Sequence, residues 1–167
     1  MSEILDKAKQ WLSATFDAAT QQEIVQLITT NATDLEDRFY KNMEFGTGGM
    51  RGVMGAGTNR INKYTLGRAT QGLSNYLIEN VHKNQLKVVI AYDCRHNSKK
   101  FAKIVADVLS ANNIKVYLFE DLRATPELSF AVRHLDCDAG IVLTASHNPP
   151  EYNGYKVYWA DGGQIVP

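Results

Sequence analysis

Only two cysteines, Cys94 and Cys137, occur in the chain, and they lack the spacing of metal ligands. A cysteine-built metal site is therefore not indicated. A single disulfide between them stays open, beside the expected pair of free thiols in a reducing compartment. An excess of either charge is also missing, since eighteen basic and eighteen acidic residues cancel. No electrostatic footprint remains for a nucleic-acid backbone or an anionic membrane, so neither partner is expected. A small phosphorylated ligand is not excluded, because one site needs only a few local donors. Long apolar runs are absent too, and nothing approaches the length of a membrane span. The start, Met1-Ser2-Glu3-Ile4-Leu5-Asp6-Lys7, carries acids where a secretory signal would want a basic and then an apolar region. The cytoplasm is the expected location.

What is present is a chain of 167 residues, 44% hydrophobic, enough for one domain with a substantial core. It reads as a helical preface, about residues 1–42, packed on the same domain as an α/β body over 43–167. Ile4, Leu5, Ala8, Trp11 and Leu12 recur at helical spacing and predict a helix near 3–14. Thr20-Gln21-Gln22-Glu23 has the form of a capping box, and Thr33-Asp34-Leu35-Glu36 repeats it, so each is expected to open a helix. Six of the thirteen residues from Phe45 to Gly57 are glycine, which predicts a loop, or a strand with close backbone approach. Helical spacing returns from Asn62 to about His82.

Alternating elements follow. Lys87–Asp93 predicts a strand, Ser98–Asn112 a helix, and Ile114–Phe119 a strand. Thr125-Pro126 reads as an N-cap with proline at the first helical position, opening a helix to about Leu135. Ala139–Leu143 and Gly154–Trp159 predict two further strands. This alternation argues for an α/β fold with a largely parallel sheet and helices on both faces. Ligands of such folds bind beyond the carboxyl ends of strands, where Asp93 and Ser146 fall.

The segment Thr144-Ala145-Ser146-His147-Asn148-Pro149 carries the chemistry. A serine before a proline-containing turn reads first as a turn residue. Side chains of adjacent residues diverge in an extended segment, so Ser146 and His147 do not read as a nucleophile–base pair. A Gly-x-Ser-x-Gly elbow is absent, because Ala145 and His147 flank the serine. The residues alone thus give an exposed serine with polar neighbours. Lys156 alone reads as a solvated strand lysine, and His147 as a surface turn histidine. The glycine-rich loop with Arg51 is not a Walker motif, since the Gly-Lys-Ser/Thr ending is missing. His82, His96 and His134 show no mutual metal spacing, and Asp136 and Asp138 read as a solvated strand start.

Gly140 to Pro150, followed by Asn153-Gly154-Tyr155-Lys156-Val157-Tyr158, resembles the active-site segment of the α-D-phosphohexomutase superfamily. Glu44 to Gly52 is similar to that family's N-terminal glycine-arginine motif, and Asp93-Cys94-Arg95 to its Asp-x-Arg. Met54 to Asn62, with the helical preface, resembles the branch of phosphoglucomutase-2 and the phosphopentomutases. The resemblance implies a three-layer α/β/α sandwich with a mostly parallel mixed sheet, preceded by N-terminal helices. It implies that Ser146 carries a phosphoryl group, given to a sugar monophosphate and recovered from a bisphosphate intermediate. Arg51 would face the phosphoserine and hold its oxygens. Lys156 would sit near the reacting oxygens as acid or charge stabiliser. His147 would serve binding or proton transfer, and Asn148 would join Arg51, His147 and Lys156 in binding the phosphate while shaping the loop by side-chain-to-backbone bonds. A magnesium ion would meet the phosphate on Ser146. Its remaining aspartate ligands belong to a second domain, and Asp161-Gly162-Gly163 does not match them.

The likeness covers only the family's first domain. The expectation is a truncated N-terminal domain, inactive by itself, whose partners are sugar phosphates, a sugar bisphosphate and the remaining mutase domains. A natural non-catalytic module that binds a phosphosugar or a protein is the alternative.

Overall fold

The computed structural model describes residues 2–46 and 48–165, apart from the Ser2 side chain. Met1, Thr47, Val166 and Pro167 lie outside the described residues, so the glycine-arginine motif is seen without its threonine.

The preface is three short helices, α1 (Ser2–Gln10), α2 (Ala18–Thr30) and α3 (Ala32–Phe39). The first ends before the expected residue 14, because Trp11, Leu12 and Ser13 turn back onto carbonyls three residues earlier. The caps also differ from expectation. Asp17, not Thr20, caps α2, and Asn31, not Thr33, caps α3 by accepting from the Asp34 amide at 3.0 Å. The Thr20 amide and hydroxyl instead both donate to the Asp17 carboxylate. Ala8, Trp11, Ile24, Leu27, Leu35 and Phe39 bury against one another and against Ala56 of the body. Tyr64 joins the two parts: its hydroxyl donates to Asp17 Oδ2 and accepts from the Asp17 amide, both at 2.7 Å.

The body contains β1 (Met50–Val53), α4 (Lys63–Asn80), β2 (Lys87–Tyr92), α5 (Ser98–Ala111), β3 (Lys115–Leu118), α6 (Thr125–His134), β4 (Ala139–Leu143) and β5 (Tyr152–Trp159). The glycine-rich stretch thus yields a strand with close backbone approach. Asn62 caps α4, accepting from the Tyr64 and Thr65 amides. The cap of α6 is Ala124, one residue before the expected Thr125, with Glu127 accepting from the Ala124 amide at 3.0 Å.

The strands form one sheet in the order β1-β5-β4-β2-β3. The pairs β2–β3 and β2–β4 are parallel, whereas β4–β5 and β1–β5 are antiparallel. The sheet is therefore mixed, and β5 alone among its strands runs against the rest. The connection 144–151 from β4 to β5 is a hairpin-scale turn, too short for the crossover that a parallel neighbour needs.

Side chains alternate across the pleat as strand geometry requires. Val88, Ile90, Tyr92, Ile141, Leu143, Tyr155 and Val157 pack under residues of α4 and α5, among them Leu66, Leu77, Phe101, Val105 and Leu109. Val89, Ala91, Val142 and Tyr158 pack on the other face against Leu128, Ala131 and Val132 of α6. The result is the expected three-layer α/β/α sandwich. Gly140 allows α6 to lie flush on the sheet, since a Cβ there would fall 2.4 Å from Val132 Cγ2.

Both cysteines are free thiols, Cys94 exposed and Cys137 buried. Burial pushes the Cys137 thiol up to about 11. Asp138 is not the solvated residue expected. It is buried at the strand start, where its carboxylate accepts from the Lys87 amide at 2.8 Å and pairs with Lys83 at 2.8 Å.

Candidate active site

Parallel β2 and β4 end side by side, and the chain leaving each meets at the same edge: the Asp93 amide donates to the Leu143 carbonyl. Beyond β4 the backbone reverses through Thr144–Glu151 into β5. Ser146 sits at the reversal with φ +55°, a left-handed conformation uncommon for a residue with a side chain. The Thr144 hydroxyl holds it there, accepting from the Ser146 amide at 2.9 Å. Ser146 and His147 are exposed, and Ser146 Oγ lies 3.4 Å from His147 Nδ1. Asn148 does not make the expected side-chain-to-backbone bonds. Its Oδ1 is buried without a partner, while its amide closes the turn onto Ala145.

Arg51 and Lys156 come together by register. In β1 and β5, Arg51 stands opposite Gly154, two residues from Lys156 along the strand, so both cations project from one face of the sheet. They line a cavity of about 500 Å³ with Glu44, Gly48, Gly49, Thr144 and Gln164. Gly49 adopts φ +115°, and a Cβ there would lie 2.2 Å from the Tyr155 carbonyl oxygen, so the loop can hug β5 only without a side chain. Ser146, His147 and Asn148 are not among the lining residues; Thr144, two positions before the serine, connects their turn to the cavity. A second cleft, of about 410 Å³ and lined by Trp11, Phe16, Met43 and Tyr64, lies between preface and body and contains none of the expected site residues.

The chemistry of this arrangement suits an anion. Two cations border the cavity, and neither Arg51 nor Lys156 forms an ion pair among the described residues. The described residues hold no group of three or more His, Cys, Asp or Glu that could bind a metal ion. The donor set around the cavity, with Glu44 its one carboxylate, therefore does not by itself fit magnesium, which wants several oxygen ligands.

Residues 42–167 match the family model described as phosphoglucomutase/phosphomannomutase, alpha/beta/alpha domain I. The chain belongs to the phosphoglucomutase/phosphomannomutase family. A phosphoglucomutase of Staphylococcus aureus (strain USA300) is 50% identical over 135 residues, covering 80% of this chain and 24% of the relative. A phosphoglucomutase of Staphylococcus epidermidis is 45% identical over 146 residues, covering 86% and 26%. A solved structure from Thermus thermophilus, whose name assigns it provisionally to the phosphomannomutases, superposes with a TM-score of 0.68 at 38% identity. It covers 75% of this chain and 27% of that one. The chain thus spans about a quarter of the length of the curated relatives it matches.

Within this phosphoglucomutase/phosphomannomutase domain I, sequence reasoning misses several members of the site. It assigns no role to Thr144 or Gln164, and it marks Arg95 only by resemblance. Asn153, wholly buried, donates to the His96 carbonyl and to Ser98 Oγ, both at 3.0 Å. A buried Asn beside a Gly at a strand start is the available signal, because an amide without water must find partners inside.

Proposed function

We propose that this chain is the phosphoserine-bearing first domain of a phosphosugar mutase, which moves phosphate between C1 and C6 of a hexose, or C1 and C5 of a pentose, through a bisphosphate. The observation that supports the reading is the pair of cations, Arg51 and Lys156, without an ion pair among the described residues, bordering a cavity joined by Thr144 to the strained turn of Ser146.

Ser146 Oγ would hold the phosphoryl group. In the forward step a sugar hydroxyl oxygen attacks phosphorus and gives its proton to a nearby base, while the bond between Oγ and phosphorus breaks and Oγ takes up a proton to become the serine hydroxyl. Phosphoryl transfer rests mainly on positioning and on neutralising spread negative charge. Arg51 can hold two phosphate oxygens with its planar fork, and Lys156 supplies a point charge. His147, 3.4 Å from Oγ, is within reach of a phosphate there and can bind it or pass a proton. Magnesium on the phosphate of Ser146 would need further oxygen ligands from outside the described residues. When bound, it would add charge neutralisation. The setting is a cytoplasmic enzyme of sugar phosphates, with this domain inactive alone.

In the complete protein, Ser146→Ala should abolish conversion of glucose 1-phosphate to glucose 6-phosphate, by about a thousandfold or more, as loss of a covalent carrier does. Turnover near the wild-type rate in that variant would refute Ser146 as the carrier.

A further inference from the structure

One guanidinium holds the whole serine turn. Arg95, on the turn after β2, donates through Nη1 to the carbonyls of Pro149 (2.8 Å) and Tyr152 (3.1 Å). Through Nη2 it donates to those of Ser146 (2.8 Å) and Asn148 (2.5 Å). Its side chain is only 12% exposed, and its Nε lies 3.6 Å from Asp93 Oδ2. Asp93 in turn is fixed, its Oδ1 accepting from the Arg95 amide at 3.0 Å and from Ser98 Oγ at 2.8 Å. Ser98 is the fully buried first residue of α5, and Asn153 bonds it from β5. The turn is therefore anchored to the start of a core helix through one ion pair and a buried amide.

From this geometry we infer that Arg95 is a positioning residue for phosphoryl transfer; the inference rests on the reading of Ser146 given above. Four carbonyls converging on one charge is a strong restraint, because charge-assisted bonds are about twice as strong as neutral ones. It also opposes a specific cost. The left-handed region crowds the Cβ of a non-glycine residue against its own main chain, and the clamp on the Ser146 carbonyl keeps the serine there. A direction follows from peptide planarity. The Ser146 carbonyl points at Arg95, so the N–H of His147, antiparallel across the same trans peptide, points away from it. The clamp thus turns the positive end of that peptide away from the guanidinium. Arg95 spends its own charge on Asp93 and the carbonyls, which leaves anion binding to Arg51 and Lys156.

The test uses the complete mutase with Arg95→Lys and Arg95→Gln. A lysine keeps the charge but loses the planar two-nitrogen fork, so both variants should lose kcat, on the order of a hundredfold for a displacement near ~1 Å. KM for the sugar phosphate should stay within about twofold, since the binding cations are untouched. Amide exchange at Asn148 and Tyr152, whose turn bonds the clamp holds closed, should quicken in both variants. A folded variant with wild-type kcat, or one that loses only melting temperature, overturns the inference. Should neither variant fold, exchange in the wild-type protein decides. Slow exchange at Asn148 and Tyr152 supports the clamp, and exchange as fast as in the exposed 83–85 turn overturns it. The Ser146→Ala protein separates the two readings. If it is inactive while Arg95→Lys turns over normally, the clamp alone fails; if it stays active, the carrier reading fails.

Discussion

The serine turn, through Thr144, and the glycine–arginine segment reach one cavity and are held by opposite means. The turn is tied by side chains: Arg95 on four carbonyls, Thr144 on the Ser146 amide, Asn153 on the chain beneath. The loop is held by backbone, through paired bonds between Gly46 and Gly49 and the β1–β5 ladder. Its arginine is exposed and forms no ion pair among the described residues. Under the proposed function, the difference separates two tasks. A reacting atom must be fixed before the substrate arrives, and fixing it consumes charge. A group that receives an anion must keep its charge uncommitted.

The largest effect that would break this contrast is Arg51→Ala in the complete protein. Removal of a preorganised donor to developing charge costs on the order of a hundredfold to a thousandfold in kcat/KM. Melting temperature should not move, because the Arg51 side chain forms no ion pair or hydrogen bond among the described residues. Steady-state kinetics beside a thermal melt measure both, and a stability loss without a kinetic loss would reverse the roles assigned to the two loops. Asn153→Ala tests the other side. It leaves the His96 carbonyl without its donor and removes a bond to Ser98 Oγ, both beside a fully buried amide, so denaturant unfolding should show a loss of about 2 kcal/mol. Native stability in that variant would show that the turn is not anchored through β5.

The smallest effect lies away from both loops and sharpens the comparison as a control. Hydrogen bonds from Thr20, Lys63 and Tyr64 hold the Asp17 carboxyl well below the usual range, and a bond from Arg38 lowers that of Asp34. Carboxyls depressed in the fold stabilise it above the ordinary aspartate value, about 4, and that stability is lost as pH falls from there through the depressed value. Because the Asp17 side chain is 38% exposed, solvent screening limits its share to less than about 1 kcal/mol. Asp17→Asn should therefore flatten the acid side of the stability curve slightly, as read by melts between about pH 5 and pH 2, while leaving the Asn153 and Arg51 effects intact. A curve unchanged by the substitution would remove Asp17 from the joint between preface and body.

The strands and helices of the body are legible in the sequence because each is long enough to show its period: β2 and β4 as unbroken apolar runs, α5 as a single apolar face. The caps mislead for a definite reason. Asp17 and Thr20 are both good cap residues three apart, and a pattern search sees Thr20–Glu23 as readily as Asp17–Thr20. The reversed direction of β5 is readable in principle from the short 144–151 connection but hidden by the helix–strand alternation before it. Ser146, Arg51 and Lys156 can be named from the sequence through a family resemblance. The meeting of Arg51 and Lys156 at one cavity cannot, since it depends on which strands neighbour in the sheet. Arg95 is harder still: its partners are main-chain carbonyls, which look the same in every sequence. Asp138 misleads because a carboxylate near a strand start is ordinarily wet, and only the packed Lys87 amide shows otherwise.

The positive φ of Ser146 has a last consequence for which amino acid can stand there. Serine and threonine both carry a hydroxyl able to bear a phosphate. A β-branched side chain, however, is a genuine outlier in the left-handed region, where its extra methyl crowds its own main chain. The selection between the two alcohols is thus made by torsion, before any chemistry of the hydroxyl is considered.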